Sequence, residues 1–197
     1  MELRELYDKI TGERLYLNTD ERKAFLEATR YEDNDIKYFC QMLFYTGCRL
    51  NEGLGVLFSR IDFSEQGVII ETLKQRRKGV MRFVELPDKY LEGLNDAYGI
   101  RSKQTQKKYK DDRIWTFTDR TGQNYVKKVM RKAGIDGKKS SPKGLRHSFG
   151  VLAVENKIPL TQIQDWLGHK DIKNTSIYTR VKGIERRSLA ERMWENT

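Results

Sequence analysis

Hydrophobic and polar positions follow two different periods along this chain. Residues 36–44 place apolar side chains three and four positions apart, which is the spacing of one face of an α-helix. Residues 68–73 and 81–86 are instead rich in β-branched and apolar residues and flank a basic turn containing Gly79, so they predict a β-hairpin. The pattern as a whole predicts an α+β fold that is mainly α-helical, with one small antiparallel β-sheet.

Capping signals set the boundaries of the first two predicted helices. Asn18 and Glu21 have the spacing of a capping box, which predicts a helix from there to about residue 30. Asp35 as N-cap and Gly47 as C-terminal stop predict a second helix. The other predicted elements are helices at 51–57, 90–98, 123–133, 144–156, 160–167, 174–179 and 184–194 and a small strand at 114–117. The expected organisation is an N-terminal arm at 1–17, a main domain at 18–182 and a C-terminal helix within 183–197.

The composition predicts a soluble, globular and cytoplasmic protein. At 197 residues, of which 38% are hydrophobic and 34% charged, the chain fits one domain with a sizeable core. Its longest apolar runs, such as residues 68–70, are too short to span a bilayer, and residues 1–5 are charged where a signal peptide would be apolar. Cys40 and Cys48 fall in or just beyond an apolar helix, which predicts reduced core thiols.

Positive charge is concentrated in one part of the chain. The net charge is +10, and residues 101–146 hold 15 of the 38 Lys and Arg but only four acids. Such a band is typical of proteins that bind a polyanion such as a nucleic acid. A DNA-binding protein is expected to be associated with the nucleoid. For residues 103–108 alone, a solvated surface loop is an equally good interpretation. The residues predicted to contact DNA are Lys127, Lys128, Arg131, Lys132, Lys138 and Lys139.

Several polar residues are candidates for phosphate chemistry, although each has an ordinary structural explanation when taken alone. Arg49 lies between a helix-ending glycine and a new helix, which suits phosphate binding, but it could equally pair with Glu52. Arg146 could be a surface arginine, and Lys74 a solvated residue of the hairpin turn. His169 follows Leu-Gly in a polar turn, where a histidine is more often a cap.

Two further residues complete the set of candidates. Tyr178 is one of ten tyrosines, so its position carries little weight by itself. His147 adjoins apolar residues on a predicted core-facing helix, which favours a buried, hydrogen-bonded structural role.

The order and spacing of these residues resemble the tyrosine recombinase, or phage integrase, family. The resemblance covers residues 18–182, with 23 residues from Arg146 to His169 and nine more to Tyr178. The matching stretches are residues 46–52, the hairpin with Lys74, and residues 143–149, 167–169 and 177–179.

The resemblance implies the fold of that family's catalytic domain and a role for each candidate. Arg49 and Arg146 would bind the scissile phosphate, and Tyr178 would attack it to leave a 3′-phosphotyrosyl bond and a free 5′-hydroxyl. Lys74 would protonate the leaving oxygen, and His169 would hydrogen-bond the phosphate. No metal, cofactor or ATP is expected. The partners would be double-stranded DNA and further copies in a tetrameric synapse, or a partner recombinase, with no membrane and no small-molecule substrate.

Two features depart from the family pattern. Lys143 stands where a histidine is usual, and two interpretations stay open: a base with a lowered pKa, or a third cation that contacts the phosphate. The helical core-binding domain that usually precedes the catalytic domain is replaced by a short arm. The chain could therefore be a native single-domain member or an excised catalytic domain.

The sequence leaves the C-terminal helix and the exact function class open. The apolar positions of residues 184–194 could dock on a neighbouring protomer or pack on their own domain. The leading functional hypothesis is a site-specific recombinase or integrase. The alternatives are a recombinase-like accessory protein that recruits or activates a partner, and a type IB topoisomerase.

Overall fold

The computed structural model describes residues 6–73 and 79–180, together with the separate residues Arg187, Ala190, Glu191, Met193 and Trp194, which are helical. The described helices and strands are α1 (Thr19–Thr29), α2 (Asn34–Thr46), α3 (Leu50–Leu54), β1 (Ile61–Asp62), β2 (Gly67–Glu71), β3 (Met81–Glu85), α4 (Asp88–Tyr98), α5 (Ile100–Thr105), α6 (Asp119–Lys132), α7 (Pro142–Glu155), α8 (Leu160–Leu167) and α9 (Lys173–Ser176). Single 3₁₀ turns lie at Phe58–Arg60, between α3 and β1, and at Ile177–Arg180, after α9. This mainly helical α+β architecture confirms the predicted fold class.

Local capping explains where several helices begin and end. The predicted capping box of α1 is present, because Asn18 and Glu21 each accept the other's backbone N–H at 2.8 Å. Gly47 ends α2 in a left-handed conformation with φ of 59°, as expected. The predicted cap at Asp35 is wrong, since α2 begins at Asn34 and the N-cap position is occupied by Asp33, two residues earlier.

Other helix boundaries also differ from the predictions, two of them because of capping. The helix predicted at 123 begins at Asp119 because Thr118 caps it, and the helix predicted at 144 begins at Pro142 because Ser141 caps it. The helix predicted at 51–57 is shorter and ends at Leu54. The prediction at 90–98 missed the first two residues of α4.

Helix α5 was not predicted, because its sequence is polar and basic. Its position is set by Ile100, which is fully buried, and by the side-chain amide of Gln104. That amide donates to the backbone carbonyls of Phe58 at 2.8 Å and Ile61 at 2.7 Å. Tertiary contacts therefore stabilise a helix that the hydrophobic pattern does not indicate.

The strands form one antiparallel sheet in the order β1-β2-β3. The predicted hairpin is confirmed, with Ile69 opposite Phe83 and Ile70 opposite Arg82. The strand predicted at residues 114–117 is wrong. The chain forms only an isolated bridge between Leu57 and Arg113 just before it, and residues 114–117 continue without strand pairing among the described residues.

Two hydrophobic clusters organise the interior. The larger one contains α2, the sheet, α4 and α6, and it holds both free thiols, Cys40 and Cys48, fully buried as predicted. The smaller one joins α7 and α8 to Leu6, Tyr16 and Tyr178. The segment preceding α1 is tied to α7, because the backbone N–H of Leu17 donates to the Ser148 hydroxyl at 2.7 Å. None of the described helices is long and apolar enough to cross a membrane.

Candidate active site

One pocket of about 410 Å³ collects most of the predicted site residues. Arg49 reaches it from the start of α3, Lys143 and Arg146 from α7, His169 from the turn after α8, and Tyr178 from the last 3₁₀ turn. Lys74 lies outside the described residues. The complete lining is Arg49, Leu50, Pro142, Lys143, Arg146, His147, His169, Asn174, Ile177 and Tyr178.

Arg146 is a buried cation that joins two helix ends. Its residue is 8% exposed, and its guanidinium donates to the carbonyls of Gly47 and Leu167, each at 2.8 Å. Burial, followed by the nearby charge of Arg49, lowers the pKa of Arg146 to about 10. The side chain therefore stays charged at neutral pH and can bind an anion.

Arg49 is fixed by a carboxylate at the edge of the same pocket. Its backbone N–H and its Nη1 both donate to Glu52, at 2.9 and 2.8 Å, so the ion pair considered from the sequence is present. The side chain nevertheless keeps 27% of its surface exposed and lines the pocket. The ion pair and a phosphate-binding role are thus compatible.

Glu52 is a fully buried carboxylate shared by two arginines. Its Oε2, which accepts the backbone N–H of Arg49, also accepts from Arg82 Nη2 at 2.6 Å. Burial alone would raise the pKa of Glu52, but the charge of Arg82 and the hydrogen bonds from Arg49 and Arg82 outweigh it and lower the pKa below its usual value. Sequence reasoning gave Arg82 no role, since a lone arginine in a strand carries no spacing signal.

His169 is held in a defined orientation and is neutral. It follows Gly168, which adopts a left-handed φ of 63° at the end of α8, and its Nδ1 lies 2.9 Å from the hydroxyl of Thr175. Burial, followed by the charges of Arg146 and Arg49, lowers the pKa of His169 to about 3. At neutral pH the imidazole is therefore suited to hydrogen bonding rather than to charge compensation.

Tyr178 contributes a buried phenol to the pocket. The residue is 1% exposed, and its ring stacks on that of His169 with centroids 6.4 Å apart and planes 10° from parallel. Its hydroxyl oxygen lies 3.5 Å from His147 Nδ1. The tyrosine is therefore next to the arginine pair and in contact with both histidines of the chain.

His147 is buried as predicted, but it also lines the pocket, which sequence reasoning missed. Its residue is 6% exposed, and its Nε2 has no hydrogen-bond partner among the described residues. Burial, followed by the charges of Lys143 and Arg146, lowers the pKa of His147 to about 4. The position of His147 directly after Arg146 is the signal that could have identified it as a pocket residue.

The geometry agrees with the comparison of the sequence with protein families. A sequence model of the phage integrase family matches residues 16–183. The chain belongs to this family. Tyrosine recombinase XerA of Saccharolobus solfataricus is 30% identical over 149 residues, covering 74% of this chain and 45% of that protein. XerA of Pyrococcus furiosus is 27% identical, covering 90% of this chain and 63% of that protein. The chain thus spans roughly half to two thirds of these relatives.

Solved structures of the integrase family share the fold. A crystal structure of XerA recombinase aligns with a TM-score of 0.76 and 25% identity, over 90% of this chain and 64% of that one. XerH bound to its difH substrate in a pre-cleavage complex gives 0.72 and 23%, over 94% of this chain and 56% of that one. The catalytic domain of bacteriophage HP1 integrase gives 0.62 and 18%, over 89% of this chain and 93% of that one. This architecture is therefore that of a tyrosine recombinase catalytic domain.

In this integrase-family fold the predicted DNA-contacting residues differ in their surroundings. Lys128 and Lys132 both pair with Glu32, at 2.6 and 3.0 Å. Lys127 and Arg131 lie on the same helix, α6, and line a separate shallow pocket without an ion pair to any residue that the structure describes. Lys138 pairs with Asp8 at 2.5 Å and Lys139 with Glu21 at 2.6 Å.

Proposed function

We propose that this chain catalyses site-specific DNA recombination by cleaving and rejoining strands through a 3′-phosphotyrosyl intermediate. The observation that carries the proposal is the convergence of Arg49, Arg146 and Tyr178 on one pocket. Family membership and relatives described as tyrosine recombinases support it. The XerH structure with its difH substrate supports double-stranded DNA as the partner.

The proposed reaction replaces one phosphate ester by another. The phenolic oxygen of Tyr178 attacks the scissile phosphorus in line, the new O–P bond forms, and the bond to the 5′-oxygen breaks. Arg49 and Arg146 bind the non-bridging oxygens and offset the charge that grows on them in the transition state. The phenol releases its proton to solvent, and protonated Lys74 gives one to the leaving 5′-oxygen and becomes neutral, so one proton is released and one is taken up in the step.

The remaining pocket residues orient the phosphate. Neutral His169 donates a hydrogen bond to a phosphate oxygen from the nitrogen that does not face Thr175. Lys143 adds a third positive charge at the rim of the pocket. Because the phosphotyrosyl ester keeps the energy of the phosphodiester, rejoining needs neither ATP nor another nucleotide. The guanidinium pair supplies the charge compensation, so the proposed chemistry calls for no metal ion.

Self-association on DNA belongs to the same proposal. Recombination requires two duplexes to be cut and exchanged, so several copies must assemble. Met193 and Trp194 near the C-terminus are helical and more than half exposed, at 64% and 54%. They are the described residues through which the C-terminal helix can dock on a neighbouring protomer.

Covalent trapping tests the proposal. The protein is incubated with a library of randomised duplexes that carry a nick near the cleavage point, and DNA that stays bound after denaturation is amplified and sequenced. Wild-type protein and Tyr31→Phe, a change at a tyrosine that is 73% exposed, should both trap DNA, whereas Tyr178→Phe should trap none.

Other outcomes identify the competing functions. Failure of the wild type to trap any duplex, combined with stimulation of another recombinase that survives Tyr178→Phe, would replace the proposal with an accessory role. Trapping followed by relaxation of supercoiled plasmid without any need for a paired site would indicate a topoisomerase.

A further inference from the structure

Arg82 is a buried arginine on β3 that lies outside the pocket lining. Its side chain is 7% exposed, and its guanidinium makes three hydrogen bonds to three different parts of the chain. Nε donates to the carbonyl of Trp166 at 2.8 Å, Nη1 to the Thr72 hydroxyl at 2.7 Å, and Nη2 to Glu52 at 2.6 Å. No other side chain in the described ranges joins the sheet, α3 and α8 in this way.

Each acceptor lies next to a group that the proposed chemistry uses. Glu52 accepts from Arg49 Nη1 through Oε1 and from the Arg49 backbone N–H through Oε2. Trp166 is the last residue but one of α8, which leads through Gly168 to His169. Thr72 precedes Lys74 by two residues. It closes the base of the hairpin, where its N–H donates to the carbonyl of Val80 at 2.8 Å.

The turn that carries His169 packs directly on the Arg82 guanidinium. A β-carbon added at Gly168 would lie 3.0 Å from Arg82 Nη1 and 2.9 Å from the Thr72 hydroxyl. The turn therefore approaches as closely as it does because residue 168 has no side chain. Any displacement of Arg82 changes the support beneath both Glu52 and this turn.

We propose that Arg82 is a positioning residue for strand cleavage, which holds Arg49 through Glu52 in a fixed relation to the turn of His169. This inference rests on the proposed function, since it assigns a support to that same site. A planar guanidinium provides donors in fixed directions to all three acceptors, whereas a lysine ammonium provides a single point of charge. Without Arg82, Glu52 keeps its bonds from Arg49, but the link from this pair to the turn of His169 is lost.

A neutral phosphate analogue separates this role from a merely structural one. A methylphosphonate at the cleavage point has a methyl group in place of one charged oxygen, so its cleavage depends less on the charge of Arg49. A variant that misplaces Arg49 should therefore lose more rate on the phosphate than on the methylphosphonate. A variant that only reduces the folded fraction should lose the same factor on both.

The experiment compares first-order cleavage rates on a duplex recovered by covalent trapping, with either group at the cleavage point. Arg82→Met should slow cleavage of the phosphate roughly 100-fold, as expected for a displaced catalytic group, and of the methylphosphonate by less than about tenfold. Arg82→Lys keeps the buried charge balance with Glu52 and should show the same preference with a smaller loss. Arg60→Met is the matched control, because Arg60 pairs with Glu71 on the same sheet at 3.3 Å, and it should leave both rates unchanged.

Equal losses on the two substrates in both Arg82 variants, with an active wild type, would overturn the role of Arg82 alone. If Arg82→Met does not fold, the ratio measured with Arg82→Lys decides. A wild type that forms no covalent product on either duplex overturns the proposed function itself.

Discussion

The ring of Tyr178 lies directly against the α-carbon of Gly150. A β-carbon at Gly150 would come within 2.5 Å of the ring atoms Cε2 and Cζ. Gly150 is in the interior of α7, where glycine is ordinarily less stable than alanine by about 0.5–1 kcal/mol. Gly150, together with His147 one turn earlier, forms a slot for the ring. The glycine that makes this slot possible therefore lowers the stability of α7.

Gly150→Ala should consequently destabilise the protein, by about 1–3 kcal/mol of unfolding free energy, because the new methyl group overlaps the ring. In a Tyr178→Ala background the slot is empty, and the same change should instead stabilise the helix by about 0.5–1 kcal/mol. Urea denaturation of the four variants measures this sign reversal. Tyr178→Phe is the matched background, since it keeps the ring and should show the wild-type loss. The same effect of Gly150→Ala in all backgrounds would contradict the contact.

Stability should fall as the pH is lowered from about 6.5 to 5. The chain has two histidines, and both have folded pKa values far below the ordinary value, at about 4 for His147 and about 3 for His169. In this window the unfolded chain binds protons that the folded chain does not, so acid favours unfolding. For buried His147 the loss at pH 5 is about 1–2 kcal/mol, and the more exposed His169 adds a smaller share.

Urea denaturation at pH 7 and pH 5 checks this dependence. His147→Gln should remove most of it, because the glutamine does not titrate. A His147→Gln variant that loses as much stability between the two pH values as the wild type would show that burial does not lower the pKa of this histidine.

Arg146→Ala should cost stability as well as cleavage. The substitution leaves the carbonyls of Gly47 and Leu167 without their donor. We expect an unfolding free energy lower by roughly 1–3 kcal/mol, the cost of an unsatisfied buried group. Arg49→Ala should cost less, because Glu52 keeps Arg82.

Thermal or urea denaturation measures both arginine variants. Arg30→Ala serves as the control, since Arg30 forms an exposed pair with Glu27 and should change stability by less than about 1 kcal/mol. Equal stability of Arg146→Ala and the wild type would mean that the two carbonyls find other donors.

Substitutions on two different faces of α6 should change the salt dependence of DNA binding by different amounts. Lys127→Ala with Arg131→Ala should reduce the slope of log affinity against log salt concentration by about 2, because each lost phosphate contact removes about one counterion. Lys128→Ala with Lys132→Ala should change the slope less, since Glu32 already engages both cations. Titrations of a random 30-base-pair duplex at several salt concentrations give the slopes, and equal reductions in the two double variants would contradict the distinction.

Sequence patterns predicted local structure where the signal is local. The capping box of Asn18 and Glu21 and the stop at Gly47 depend only on neighbouring residues, so the sequence alone predicted them. Helix α5 and the missing strand at 114–117 were not, because distant contacts such as that of Gln104 with Ile61 determine them. For the site, the resemblance to the integrase family, which rests on the order and spacing of Arg49, Arg146, His169 and Tyr178, predicted that these residues converge.

What the sequence determined by itself is which reactive groups exist and in what order they occur, because a motif fixes residue types and distances along the chain. Only the tertiary structure decided which other residues hold these reactive groups in place. Arg82 reaches Glu52 and Trp166 across 30 and 84 residues, and the Tyr178 ring fits Gly150 from 28 residues away. Such contacts depend on the packing of separate elements against one another, and no short-range pattern of polar and apolar positions specifies that packing.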